Sequence, residues 1–247
     1  METLSGTVLV GRSFEPIRGR VVVDDGRIER IEEGETASTD IVLPAFVNAH
    51  THLGDSVAKE AAVGLSLDEA VAPPDSLKHR RLAAADRPDL VSAMRRTLRF
   101  MGRTGTVSCL DFRESGSAGA RALREAAASV SIDPFVFGSG ERSVLDVADG
   151  YGASGANDGD FTEARAACRE RDVPFAIHAG EPDPTDIHPA LDLDPDLLVH
   201  MVHAEREHLQ RVADQSVPVA VCPRANAVLG VGTPPVRELL DHTTVAL

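Results

Sequence analysis

The chain of 247 residues holds only three cysteines, Cys109, Cys168 and Cys222, and no two are spaced as CxxC. That argues against a disulfide framework and a thiolate zinc site, and the three read as reduced, small apolar residues. Lysine is nearly absent, occurring only at Lys59 and Lys78, so the basic side chains are almost all arginine. Acidic residues outnumber basic ones 39 to 25, for a formal net charge of −14. Such a surface repels phosphate backbones and argues against nucleic acid as a partner. Abundant acid with scarce lysine also suits work in concentrated salt, where a Debye length of about 3 Å at 1 M screens self-repulsion. No run of about 18 apolar residues exists, so no membrane span is expected. The opening Met1-Glu2-Thr3-Leu4-Ser5-Gly6 lacks the basic-then-apolar order of a secretory signal, which makes a cytoplasmic location the expectation.

With 43% hydrophobic residues, the chain can bury a substantial core. Residues 1–43 read as a small β region: Gly6 to Val10 is a short apolar run, and Asp24-Asp25-Gly26 sits between two β-rich runs as a hairpin turn. The run Ile41 to Val47 leads straight into His50. Residues 44–247 then alternate strand-like and helical stretches. Helical spacing covers 89–103, and further helices are expected over 117–129, 161–171, 205–214 and 235–241. Strands are expected at Thr106–Leu110, Ile132–Phe137, Val144–Val147, Pro174–His178, Leu197–His200, Val217–Val221 and Thr243–Leu247, with a glycine-rich loop at Gly150–Gly159. About eight such strands predict an α/β fold, a (β/α)₈ TIM-type barrel; a doubly wound sheet is the runner-up. The segment 54–88, with Pro73-Pro74, reads as a long active-site loop.

In a parallel barrel the chemistry lies at the C-terminal strand ends. Three expected strands end in histidine: His50 with His52, then His178, then His200 with His203. A strand has period two, so His50 and His52 leave one strand on one face, a natural pair of ligands for Zn²⁺ or Fe²⁺. A third imidazole from a distant strand would complete an open site. Glu181, three residues past His178, can shuttle protons beside such a site. His79, His188, His208 and His242 lie in polar or helical contexts and read as surface residues.

His50-Thr51-His52 after Leu43 to Ala49 resembles the first-strand signature of the amidohydrolase superfamily. His178-Ala179-Gly180-Glu181 resembles its fifth-strand HxxE, Leu198-Val199-His200 its sixth strand, and Val221-Cys222-Pro223-Arg224-Ala225-Asn226 the seventh-strand C-P-x-x-N of the cytosine-, guanine- and adenosine-type deaminases and related chlorohydrolases. The resemblance implies that His50, His52 and His178 bind one divalent metal ion, zinc before iron. It implies that Glu181 moves protons to a ring nitrogen, and that His200 orients or helps deprotonate the attacking water. His203, Arg224 and Asn226 become candidates for substrate contact or pocket shaping. Residues 1–43 would then be the small β-sandwich portion, and 44–247 the barrel.

No lysine falls within 130–155, where the fourth strand should lie, so the two-metal arrangement with a bridging carboxylated lysine is not expected; Glu141 stays open as a bridging carboxylate. The family also places an aspartate at the end of the eighth strand, and the chain stops at Leu247 inside what reads as that strand. The expectation is of a truncated enzyme whose barrel is incomplete at its C-terminus, with an exposed edge. The function expected is hydrolytic deamination of a small heterocyclic substrate; the alternatives are hydrolysis of a cyclic amide of imidazolone type, or an inactive homologue serving as a binding or homo-oligomer partner.

Overall fold

The computed structural model describes residues 1–72 and 75–247; Pro73-Pro74 of the expected long loop lie outside the described residues. The chain divides into two compact units, Met1–Phe46 and Val47–Leu247.

The first unit is a four-stranded sheet of β1 (Glu2–Val10), β2 (Glu15–Asp24), β3 (Arg27–Glu33) and β4 (Ile41–Val42), in the order β3-β2-β1-β4. The β1–β2 and β2–β3 pairs are antiparallel and β1–β4 is parallel. Asp25 and Gly26 both have positive φ, as a two-residue hairpin turn matching the strand twist demands.

The second unit holds eight strands: β5 (Phe46–Thr51), β6 (Thr106–Arg113), β7 (Asp133–Gly138), β8 (Gly150–Gly155), β9 (Phe175–Ala179), β10 (Leu197–His200), β11 (Val219–Ala220) and β12 (Val245–Ala246). They form one sheet in strict chain order, and the pairs from β6–β7 to β11–β12 are parallel. The sheet is barrel-shaped and nearly closed, because Ala49 N–H on β5 donates to the Leu247 carbonyl at 2.7 Å. The helices are α1 (Leu67–Ala70), α2 (Leu77–Ala84), α3 (Arg87–Arg103), α4 (Gly116–Ala127), α5 (Thr162–Arg171), α6 (Ile187–Asp192), α7 (Arg206–Gln215), α8 (Pro223–Leu229) and α9 (Val236–His242).

Period two divides the core. Phe112, Phe137, Ala176, Leu197, Val199 and Ala220 form one buried cluster within the barrel, with Leu110 and Phe135 against it. The alternate residues Cys109, Val136, Ile177, Leu198 and Val219 join a larger cluster with Met94, Leu98 and Leu123 of the helices.

Four sequence expectations change. The run 41–47 is two strands, broken at Leu43-Pro44-Ala45, because proline lacks the N–H a ladder needs. Val144–Val147 is not a strand: Arg142–Asp146 is a 3₁₀ helix. The fourth barrel strand is instead β8, inside the stretch read as a loop. A Cβ on Gly152 would stand 2.7 Å from Phe112 Cδ1 and 3.0 Å from Phe137 Cβ, so the packed interior demands glycine where glycine suggests a loop. The segment 54–88 is not an irregular loop, since a 3₁₀ helix over Leu53–Ala58 precedes α1 and α2.

Candidate active site

β5, β9 and β10 deliver imidazoles to one end of the barrel. One ring nitrogen from each of His50, His52 and His178 lies within 4.8 Å of the other two. The His50 ring centroid is 4.8 Å from that of His52, 4.9 Å from His178 and 5.5 Å from His200. Phe112 packs beneath, 4.6 Å from His50 and 4.8 Å from His178.

Hydrogen bonds decide which ring atoms face the centre. His178 Nδ1 stands 2.8 Å from the Ala153 carbonyl, which can only accept, so the proton is on Nδ1 and Nε2 carries a lone pair. His52 Nδ1 lies between Glu114 Oε1 at 2.8 Å and Lys78 Nζ at 3.0 Å; the nearer partner is the acceptor, which places the proton on Nδ1 here as well. Their Nε2 atoms are then 3.3 Å apart with no proton between them. Two nitrogens at 2.0–2.1 Å from a tetrahedral zinc would lie about 3.4 Å apart, so the gap fits a cation. Among the described residues, His50 Nδ1 is buried with no hydrogen-bond partner. Burial, and then the neighbouring imidazoles, hold His50 and His178 well below the usual histidine range, so both rings are neutral at pH 7. The residues present therefore fit a divalent ion.

Behind His52 lies a buried charged network that sequence reasoning missed. Glu114, at the end of β6, is paired with Lys78 of α2 and with Arg113. Lys78 Nζ also approaches His52 Nδ1 at 3.0 Å and Asp55 at 3.4 Å. Burial raises the Glu114 carboxyl, but Lys78 and Arg113 outweigh it and hold the group well below the usual range. Arg113 is 1% exposed and lies 3.5 Å from Asp111, whose Oδ2 accepts from Leu53 N–H at 2.5 Å and from Thr51 Oγ1 at 3.0 Å. Burial pushes the Asp111 carboxyl up to about 6. A Cβ on Gly54 would collide with the Arg113 guanidinium, so that glycine makes room for the network. No local sequence pattern marks Lys78, because its partners come from distant elements.

His200, Glu181 and Asn226 meet on the other side of the cluster. His200 Nε2 is 3.4 Å from Glu181 Oε2, and the two rings of His178 and His200 stack at 5.3 Å. Burial pushes Glu181 up to about 7, and burial with nearby His52 pushes His200 down to about 3. Asn226 bonds to both, so it holds these two side chains. His203 is half-buried, its backbone N–H donating to Gly180, and Arg224 is exposed. Neither side chain bonds to the imidazole cluster among the described residues. Glu141 is exposed at the start of the Arg142–Asp146 helix and bridges nothing there. The fourth strand β8 contains no lysine.

One surface assignment is corrected: His208 is 3% exposed, because its Nδ1 accepts the Glu205 N–H that would otherwise be orphaned at the start of α7. His208, His188 and Glu207 bring ligand-type atoms within 4.8 Å of one another. That bond leaves the His208 proton on Nε2, and Arg211 donates to His188 Nδ1 at 3.0 Å, which puts the His188 proton on Nε2 as well. Neither ring offers a second lone pair, and a guanidinium stands beside them, so the group is a capping and hydrogen-bonded cluster rather than a metal centre.

Among the described residues no helix is long and apolar enough to cross a membrane. The model of the amidohydrolase family matches residues 41–247. A Methanothermobacter thermautotrophicus protein, provisionally named an aminohydrolase, is 35% identical over 95% of this chain and 71% of its own length. The 5-methylthioadenosine/S-adenosylhomocysteine deaminase of Halobacterium salinarum is 26% identical over 99% of this chain and 67% of its own. Atrazine chlorohydrolase from Arthrobacter aurescens, solved with zinc, superposes with a TM-score of 0.73 at 17% identity, covering 100% of this chain and 72% of that one. The chain belongs to the amidohydrolase family, hydrolases of carbon–nitrogen bonds.

Proposed function

We propose that this chain is a metal-dependent hydrolase that replaces the amino group of a nitrogen heterocycle with oxygen from water. The observation that carries the reading is the convergence of three imidazole nitrogens within 4.8 Å. His50, His52 and His178 would hold one divalent ion, with zinc favoured by the nitrogen-only ligand set. When bound, such an ion supplies Lewis acidity that brings the pKa of water from about 15.7 toward about 7.

The remaining work falls to side chains. Glu181, with its carboxyl raised to about 7, holds and releases a proton near neutral pH. In the ionised form it takes a proton as water adds to the ring carbon. It then returns that proton to the adjacent ring nitrogen, and afterwards carries the hydroxyl proton of the tetrahedral carbon to the amino group, which leaves as ammonia. His200, beside Glu181, orients the attacking water. His203 and Arg224 are the proposed substrate contacts. The names of the relatives, an aminohydrolase and a deaminase, favour an amino leaving group over a cyclic amide.

The test is zinc content after purification with zinc, together with ammonia release from 5-methylthioadenosine, S-adenosylhomocysteine, adenine, guanine and cytosine. About one zinc per chain, lost in His178→Asn, and ammonia from at least one compound are expected. Zinc uptake unchanged by His178→Asn, or ring opening of a cyclic amide without ammonia from any of the five, would overturn the proposal.

A further inference from the structure

Asn226 sits on α8 with 0% of its surface exposed, and its side chain reaches the two groups assigned to water and proton handling. Nδ2 lies 3.1 Å from Glu181 Oε1 and 3.0 Å from His200 Nδ1. An amide nitrogen only donates, and both its hydrogens are used on these two acceptors. His200 Nδ1 must therefore carry a lone pair, and the proton of the neutral ring lies on Nε2, the nitrogen 3.4 Å from Glu181 Oε2. The other amide atom, Oδ1, is buried with no hydrogen-bond partner among the described residues. Nothing else among the described residues competes for the amide, so Glu181 and His200 alone set its orientation. Turning the amide over would put Oδ1 against the ionised Glu181 carboxylate, acceptor against acceptor. The backbone is also bent to present His200: at the end of β10, His200 and Met201 have φ of 77° and 53°, a left-handed conformation that non-glycine residues rarely adopt.

We infer that Asn226 is a positioning residue that fixes His200 as the Nε2–H tautomer and holds Glu181 beside it, which makes His200 a hydrogen-bond donor to the attacking water and Glu181 the group that accepts the water's proton. The catalytic consequence rests on the proposed hydrolytic reading; the placement of the proton on His200 does not. The balance is simple. As the carbon–oxygen bond forms, one O–H bond of water breaks and its proton goes to the Glu181 carboxylate. The carboxylic acid so formed gives that proton to the ring nitrogen; as a carboxylate again, Glu181 takes the remaining hydroxyl proton and passes it to the amino group, so the carbon–nitrogen bond breaks with release of ammonia as the carbonyl forms. His200 keeps its proton throughout, because a neutral ring protonated at Nε2 has no lone pair facing the water.

The tautomer is read directly by long-range ¹H–¹⁵N NMR on the full 247-residue chain, labelled with ¹⁵N-histidine and kept metal-free with EDTA at pH 8.5, where Glu181 is ionised. The His200 signals are assigned by their loss in His200→Gln. The wild type is expected to show a protonated Nε2 and an unprotonated, hydrogen-bonded Nδ1. In Asn226→Asp the carboxylate can only accept, so the proton is expected to appear on Nδ1. In Asn226→Leu the Nδ1 signal should shift to that of an unbonded nitrogen. A wild-type His200 protonated at Nδ1, or a folded Asn226→Asp chain with an unchanged His200 spectrum, would overturn the inference; the wild-type spectrum decides even if a variant does not fold. Zinc titration of the same samples, after the EDTA is dialysed away, reads the metal proposal separately. The expected tautomer without zinc uptake would sink the hydrolase reading and leave the Asn226 assignment standing, and zinc uptake with Nδ1 protonated would do the reverse.

Discussion

Replacing Glu181 with glutamine should stabilise the metal-free protein at high pH and leave it nearly unchanged at low pH. The Glu181 side chain is 15% exposed and burial moves its carboxyl from 4.5 to about 7. At 1.36 kcal/mol per pH unit, that displacement costs the ionised form about 3 kcal/mol. The sign follows from linkage: a carboxyl whose folded pKa is raised contributes stability below its unfolded pKa and loses it as pH rises through the folded value. Glutamine has the same shape, still accepts from Asn226 and never ionises. The stability gap between Glu181→Gln and wild type should therefore be near zero at pH 4.5, grow between pH 5 and 7, and level off above pH 7 at about 3 kcal/mol. For a chain of this size that corresponds to roughly 6–12 °C in melting temperature. Asp111, also raised, is present in both proteins and cancels in the difference. The assay is thermal unfolding across pH 4.5–8.5 in EDTA. A gap that does not change with pH, or a variant less stable than wild type at pH 8, would refute the assigned burial of Glu181.

Three further outcomes follow from the same geometry. Arg113→Leu strands the fully buried Asp111 carboxylate without its cation, and urea titration at pH 7.5 should show a loss of about 3–5 kcal/mol; a loss under 1 kcal/mol would mean that the pair is not a buried one. Glu114→Gln removes the carboxylate that fixes the His52 proton on Nδ1, so zinc affinity measured by calorimetry should fall about 10- to 100-fold, and unchanged affinity would count against that role. With a formal net charge of −14, melting temperature should rise between 0.1 M and 2 M KCl as self-repulsion is screened, and highest stability in dilute buffer would contradict a high-salt adaptation.

The barrel and the histidine cluster were legible because both rest on local period. His50 and His52 lie two residues apart at a strand end, and His178 and His200 each close a short apolar run, so β5, β9 and β10 and their chemistry read from the same letters. β8 was illegible because Gly150-Tyr151-Gly152-Ala153-Ser154-Gly155 has turn composition; its glycines answer to Phe112 and Phe137, which only the closed sheet brings near. The network behind His52 was illegible for the same reason. Lys78 is 26 residues from His52 and Glu114 is 62, on elements whose approach no local pattern encodes. Asn226 was visible as part of C-P-x-x-N, but its role was not, since a substrate contact and a buried bridge between two side chains share one sequence.

The central claim is tested most directly by a crystal of the zinc-soaked protein measured on both sides of the zinc absorption edge. The account predicts one strong anomalous peak within bonding distance of ring nitrogens from His50, His52 and His178. An empty cluster at saturating zinc, or the principal peak at His188 and His208, would contradict it.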